Sequence, residues 1–299
     1  MADGTVTWRA LLAETVERLV QGRVGSAPEV TPEARWLCES ASGLTGAEWV
    51  LGQGQPAGAR AVARLDAMVD RRVAGEPVQY VLGSWGFRQL DLMVDRRVLI
   101  PRPETEQVAG VAIELAAACT PPRTVVDLGT GSGAIALSVA HELPPGSVTV
   151  WATDVSADAL DVARANLAGI GRSGACARLA LGSWFEALPD DLMGAVDVIV
   201  SNPPYVPDGD DALDASVLAW EPTGALFGGP DGLDAVREIV AGAPEWLRPG
   251  GWLVLEIGAG QGGSVVDMLA VAGLVDIDVR ADHAGHDRVA VARRPEGVG

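Results

Sequence analysis

Residues 124–134 read Thr124-Val125-Val126-Asp127-Leu128-Gly129-Thr130-Gly131-Ser132-Gly133-Ala134. An apolar, β-branched run meets three glycines at alternate positions, and apolar helical spacing takes over from Ala134. The stretch predicts a buried strand, a tight turn and the start of a helix, the place where open α/β sheets hold ligands. Glycine there lets backbone amides come close to a ligand. Apolar runs recur at residues 148–153, 196–201 and 252–257, with helical stretches at residues 134–143, 156–168 and 231–247. Short buried strands alternating with helices predict an α/β fold, a mostly parallel sheet with helices on both faces.

Toward the N-terminus the pattern is helical. Trp8, Leu11, Leu12, Val16, Leu19 and Val20 recur at helical spacing after Thr7, a candidate N-cap. Thr31-Pro32 is expected to open a second helix, with proline where no amide donor is needed. Val62, Leu65, Met68, Val69 and Val73 mark another, ending near Gly75. Then Gln79-Tyr80-Val81-Leu82 and Leu90-Asp91-Leu92-Met93-Val94, with Gly83 and Gly86 between them, predict a hairpin or short strands. The expected organisation is a small helical domain at residues 1–75, a β-hairpin linker at 76–103 and the α/β domain at 104–299.

Composition narrows the function. The 299 residues carry 22 cations, all Arg, against 40 Asp and Glu, a net charge of −18. Residues 1–102 hold 12 Arg and 12 acidic residues, so the whole imbalance lies beyond them. Such acidity argues against wrapping nucleic acid, where basic stripes supply most of the affinity, and against an anionic membrane surface. Cys38, Cys119 and Cys176 are widely spaced, which fits buried free thiols rather than a disulfide framework or a zinc site. The first residues include Asp3 and lack an apolar signal-peptide core, and the apolar stretch at residues 108–119 contains Glu114 and is too short for a bilayer. A cytoplasmic protein is expected.

Three motifs carry chemistry. The glycine turn by itself is ambiguous, since Gly129-x-Gly131-x-x-Ala134 also fits a dinucleotide fingerprint. Asp154 ends the next strand, 21 residues after Gly133, where a carboxylate can accept both ribose hydroxyls of a nucleoside. Asp154 equally suits the N-cap of the helix that follows. Ser201-Asn202-Pro203-Pro204-Tyr205 ends the strand after that. Its prolines stiffen the chain and remove donors, leaving carbonyls free to accept. With the Asn202 side-chain oxygen and the flat Tyr205 ring, the segment suits a planar –NH2 group, whose two N–H bonds need oxygen acceptors.

Together these motifs resemble class I S-adenosylmethionine-dependent methyltransferases acting on amino or amide nitrogen, which implies a Rossmann-like sheet. Further blocks resemble the protein-(glutamine-N5) methyltransferases that modify peptide chain release factors. They are Arg72-Val73-Ala74-Gly75-Glu76-Pro77-Val78-Gln79-Tyr80, Leu99-Ile100-Pro101-Arg102-Pro103-Glu104-Thr105-Glu106, Glu221-Pro222, Gly228-Gly229-Pro230-Asp231-Gly232-Leu233-Asp234 and Leu255-Glu256-Ile257-Gly258. The resemblance covers residues 72–291, and the helical start fits that subfamily's small leading domain. It implies that Gly129, Thr130, Gly131, Ser132 and Gly133 cradle the methionyl part of S-adenosylmethionine, that Asp154 takes its ribose and that Trp184 lies against its adenine. Asn202 would border the donor methyl, and Asn202, Pro203, Pro204 and Tyr205 would hold the glutamine of the Gly-Gly-Gln motif of class 1 release factors. The subfamily often has an apolar residue where His283 stands.

Other readings fit less of the sequence. A glutamine methyltransferase of a ribosomal protein is set apart by the subfamily resemblance alone. A methyltransferase of exocyclic amines in nucleic acid needs a basic groove, which the acidic part of the chain lacks. A nicotinamide oxidoreductase leaves Asn202 to Tyr205 without a role. Asp208, Asp210, Asp211 and Asp214 read as a solvated loop without the glycine and ligand spacing of a calcium site. His283 and His286 are too sparse for zinc, His141 reads as structural near a helix end, and Ser132 has no His partner. No metal is expected.

Overall fold

The computed structural model describes residues 6–210 and 215–297. The chain divides into two compact units, Met1–Ser84 with Ala215–Trp220, and Trp85–Asp214 with Glu221–Gly299.

The first unit contains α1 (Trp8–Gln21), α2 (Ala27–Ser42), α3 (Gly46–Gly52), α4 (Ala59–Val73) and α5 (Val78–Leu82). The Thr7 hydroxyl caps α1 by accepting from the Ala10 N–H at 3.3 Å. Leu19, Leu37, Trp49, Leu65 and Val69 form its dry centre, and Trp8 meets Trp49 edge-on at 6.2 Å. Two expectations fail here. The second helix starts at Ala27, not at Thr31-Pro32, because Glu29 accepts from the Ser26 N–H at 2.8 Å in a capping box. Pro32 therefore lies inside the helix. Gln79 to Leu82 are helical rather than extended: Pro77 starts a turn that Gly83 ends at φ +80°.

The second unit opens with a hairpin of β1 (Ser84–Phe87) and β2 (Leu90–Met93), followed by α6 (Pro103–Ala118). The main sheet holds β3 (Arg123–Leu128), β4 (Val148–Asp154), β5 (Ala177–Leu181), β6 (Val196–Ser201), β7 (Leu247–Glu256), β8 (Val275–Ala281) and β9 (Asp287–Arg293), in the order β5-β4-β3-β6-β7-β9-β8. The first five are parallel, β9 runs antiparallel to β7, and β8, antiparallel to β9, runs in the direction of the first five. Alternation sorts the side chains onto two faces. Val125, Val198, Val200 and Val254 pack with α6 and with α7 (Ala134–Glu142). Val126, Leu128, Ile199, Leu253 and Leu255 pack with the helices Asp234–Trp246 and Gly262–Val271. A further helix, α8 (Ala157–Gly169), follows β4. Cys38 and Cys119 are buried and Cys176 half-buried, all as free thiols. No described helix is long and apolar enough to cross a membrane.

Candidate active site

Strand register brings the distant motifs to one level. Thr153 of β4 pairs with Leu128 of β3, Leu128 with Ser201 of β6, and Ser201 with Leu255 of β7. The next residues, Asp154, Gly129, Asn202 and Glu256, therefore stand side by side at the C-terminal ends of four adjacent strands. β3 and β6 are neighbours although β4 and β5 intervene in the chain. The winding reverses there, which opens a crevice above the two strand ends. The Ser201 hydroxyl ties them by donating to the Leu128 carbonyl at 2.6 Å.

The glycine loop is held by Asp127 and Asp154. The Thr130 hydroxyl and the Ala136 N–H donate to one Asp127 oxygen at 2.6 and 3.1 Å, while Oδ1 of this fully buried carboxylate has no hydrogen-bond partner among the described residues. Burial pushes the Asp127 carboxyl up to about 7 against those hydrogen bonds. Asp154 Oδ2 accepts from the Gly131 N–H at 2.9 Å, and Oδ1 from the Ser156 N–H at 2.8 Å. Burial also raises the Asp154 carboxyl above the usual range, with those backbone bonds opposing it. The N-cap of α8 is Ser156, whose hydroxyl accepts from Ala159 at 3.2 Å, so Asp154 is left for another role. Gly129 takes φ +73°, and a Cβ there would stand 3.4 Å from the Trp184 ring, filling the cradle.

A cavity of about 410 Å³ opens over this edge. Gly129, Thr130, Gly131, Ser132, Asp154, Trp184, Asn202 and Pro204 line it. Gly133, Pro203 and Tyr205 do not: Gly133 caps α7 and Pro203 is buried. Tyr205 turns its hydroxyl to Glu256 Oε1 at 3.2 Å. The other Glu256 oxygen accepts from the Thr105 hydroxyl at 2.7 Å, and Asn202 Nδ2 donates to that same hydroxyl oxygen at 3.2 Å. Asn202 Oδ1 makes no hydrogen bond among the described residues. Glu256 is fully buried, and burial pushes its carboxyl up to about 7 although the Thr105 bond and the nearby Arg288 charge oppose this. Burial also pushes the Tyr205 phenol up, and the Glu256 charge adds to it.

Residues 10–83 match the PrmC N-terminal domain and residues 112–218 the Methyltransferase small domain. The chain is 46% identical over 248 residues to a release factor glutamine methyltransferase of Xylella fastidiosa strain Temecula1, spanning 83% of this chain and 87% of that one. A release factor glutamine methyltransferase of Moorella thermoacetica is 42% identical over 300 residues, 97% of this chain and all of that one. The chain belongs to the release factor glutamine methyltransferase family. A methyltransferase structure from Pyrococcus furiosus, 18% identical with a TM-score of 0.50 over 78% of this chain and 98% of that one, shares the fold.

The family's glycine-rich block at residues 228–234 has a structural reason in this member. Val206 bridges to Phe227, and Gly232, at φ +74°, lies so close to the Tyr205 carbonyl that any Cβ would collide with it. Gln261 closes the turn, donating to the Tyr205 carbonyl at 3.0 Å and accepting from Gly258 at 2.8 Å. Glu221 pairs with Arg102 and accepts from the Ile100 N–H at 3.1 Å, anchoring the Pro-Arg-Pro segment beside the cavity.

Sequence reasoning assigned no role to Thr105, Glu256, Gln261, Arg288 or Asn166. Glu256 carried a signal, a carboxylate at the end of an apolar run level with Asn202. Asn166 carried none: it donates to Ser132 and Met93 and accepts from the Met93 N–H, partners set by the fold alone. Residues 282–286 form a turn held by Asp282, and after it Arg288 stands 5.9 Å from the Tyr205 ring centre. Asp208 and Asp210 are exposed, while Asp211 and Asp214 lie outside the described residues. No cluster of His, Cys, Asp or Glu able to hold a metal occurs among the described residues.

Proposed function

We propose that the chain transfers a methyl group from S-adenosylmethionine to the side-chain amide nitrogen of the glutamine in the Gly-Gly-Gln motif of class 1 release factors. The orientation of Asn202 carries the reading. Its Nδ2 is engaged by Thr105, which leaves Oδ1 as an acceptor on a residue that lines the cavity. Family membership supports the same substrate class, and the acidic surface argues against a nucleic acid in its stead.

The cavity suits S-adenosylmethionine in size and in its mixture of flat, apolar and polar walls. Gly129, Thr130, Gly131 and Ser132 leave room for the methionyl part, with Gly133 behind them starting α7, and each Asp154 oxygen keeps a second lone pair for a ribose hydroxyl. Trp184 offers the adenine a flat face. When bound, S-adenosylmethionine supplies an electrophilic methyl on a positively charged sulfur.

A carboxamide nitrogen is a poor nucleophile because its lone pair is delocalised, so orientation does most of the work. The Asn202 oxygen and the Pro203 carbonyl accept the two amide N–H bonds and aim the nitrogen along the line of attack. Pro204 keeps the segment stiff, and Tyr205, held by Glu256, packs beside the amide plane. Fixing two reactants in attack geometry contributes about 7–11 kcal/mol. The methyl would leave its sulfur as the C–N bond forms, with S-adenosylhomocysteine as the other product, and the nitrogen, then acidic, would lose its proton to solvent without a strong base.

Residues 1–102, charge-balanced with 12 Arg, are the part we assign to docking the protein substrate. The expected setting is the cytoplasm, with no membrane or direct nucleic-acid partner. Mass spectrometry of a release factor after incubation with the enzyme and S-adenosylmethionine tests the function. A 14-Da gain on the Gly-Gly-Gln glutamine supports it (about one added CH2). An unmodified glutamine, with methyl on RNA or on a ribosomal protein instead, overturns it.

A further inference from the structure

An asparagine amide is nearly symmetric in shape, and only its hydrogen bonds tell its two ends apart. Turned around, Asn202 would present N–H bonds to the N–H bonds of a substrate amide and hold nothing. Something must select the productive end. Thr105, its partner, could either donate or accept, so the choice passes to whatever takes the Thr105 proton.

We infer that Glu256 and Thr105 are positioning residues for methyl transfer, with the buried carboxylate taking the Thr105 hydroxyl proton so that Thr105 can only accept from Asn202 and the Asn202 oxygen faces the substrate amide. The inference rests on the proposed reaction at a glutamine amide. An ionised carboxylate only accepts, and Glu256 receives Thr105 on Oε2 at 2.7 Å and Tyr205 on Oε1 at 3.2 Å. The two bonds fix the carboxylate plane from both ends. Once the Thr105 proton is committed, its lone pair has one use toward Asn202, to accept Nδ2 at 3.2 Å. The contact spans 97 residues of sequence and the Thr105–Glu256 bond 151, so only the folded sheet edge assembles the chain of bonds.

The alternative, that Glu256 merely fills space, fits the structure poorly. A fully buried carboxylate without an ion pair among the described residues is costly, and an apolar side chain would fill the same volume at less cost. Thr105 is also buried, at 4% exposure, and its methyl would pack equally well on valine.

The test is steady-state methyl transfer to a full-length release factor by four variants, with S-adenosylmethionine affinity measured by calorimetry. Thr105→Val keeps the shape and removes the hydroxyl; Glu256→Leu removes both acceptors. Each is expected to lower kcat roughly 100-fold, the cost of about 1 Å of misplacement. The KM for S-adenosylmethionine should stay within about threefold, since binding common to ground and transition states is untouched. Thr105→Ser and Glu256→Gln, which each keep an oxygen for the relay, should recover most of the rate. A purely structural role predicts the reverse order, with Val tolerated and the polar variants no better.

The double variant Thr105→Val with Glu256→Leu should be no slower than the slower single one, because residues acting through one line are not additive. A Thr105→Val enzyme as fast as wild type overturns the relay alone. So do losses that multiply in the double variant. A wild-type enzyme that leaves the glutamine unmethylated overturns the reaction and the relay with it. If Thr105→Val fails to fold, the Glu256→Leu and Glu256→Gln pair decides the same question.

Discussion

The Gly131 N–H donates to the Asp154 carboxylate at 2.9 Å, so the acidic end of β4 is also the strut of the glycine loop on β3. One residue thus shapes the cradle and supplies lone pairs to its occupant. Asp154→Ala should weaken S-adenosylmethionine binding by roughly 100-fold, about 2–3 kcal/mol, as expected for hydrogen bonds to a charged group. Calorimetric titration measures this directly. An affinity equal to wild type would remove Asp154 from the site.

Asn202→Ala should separate binding from chemistry. The oxygen that aims the substrate nitrogen is lost, while the glycine loop, Asp154 and Trp184 are untouched. Turnover should fall at least roughly 100-fold, with only a modest loss of S-adenosylmethionine affinity. Single-turnover kinetics beside calorimetry show whether the two separate. Retained turnover would sink the role given to Asn202.

Much of this architecture was legible because buried parallel strands write themselves as continuous apolar runs, as residues 196–201 do. The Asn202 to Tyr205 segment was legible because two prolines limit what the chain can do there. β8 left no such run: Val275, Ile277 and Val279 alternate with Asp276, Asp278 and Arg280, a mostly exposed edge strand that a search for continuous apolar stretches passes over. Gln79 to Leu82 misled because a short apolar run reads as a strand until Pro77 is seen to start a turn. The links from Thr105 to Glu256 and from Asn166 to Met93 were illegible in principle, since only strand register and helix packing bring those atoms together.

Gly232 supplies a test of the loop that carries Tyr205. At φ +74°, with the Tyr205 carbonyl in the way of a Cβ, alanine is strained and also pushes the motif out of line. Gly232→Ala should cost about 1–3 kcal/mol of stability and reduce methyl transfer more than S-adenosylmethionine affinity. Denaturant unfolding and initial rates give both quantities. An enzyme with unchanged rate and midpoint would show that the loop tolerates displacement.

Asn166 braces the loop from below, through bonds of 2.7 to 3.0 Å to Met93 and Ser132. It is nearly buried, so Asn166→Ala strands those backbone groups without water. The expected loss is about 2–4 kcal/mol, from two or more unpaired buried groups. Urea unfolding at neutral pH checks it, and a loss below roughly 0.5 kcal/mol, the level of an ordinary surface substitution, would mean that the bonds are dispensable.

The titration of Glu256 couples activity to stability with opposite signs. Burial raises its carboxyl from 4.5 to about 7. The folded pKa lies above the unfolded one, so this group's contribution to stability is fully present below about pH 4.5 and is lost as pH rises through about 7. Thr105, Tyr205, Arg288 and Glu104 are the groups that set this value. The relay needs the ionised form, so kcat should climb as pH rises through about 7, at the upper end of the interval in which the fold loses stability. Glu256→Gln does not titrate there. Its kcat should lack the acid limb, and its stability relative to wild type should improve between about pH 4.5 and pH 7, the window between the unfolded and folded values. Asp127, raised to about 7 by burial, titrates in both proteins and cancels in the difference. Paired urea midpoints and rate profiles decide the matter: a wild-type acid limb that survives in Glu256→Gln would assign the titration to another group.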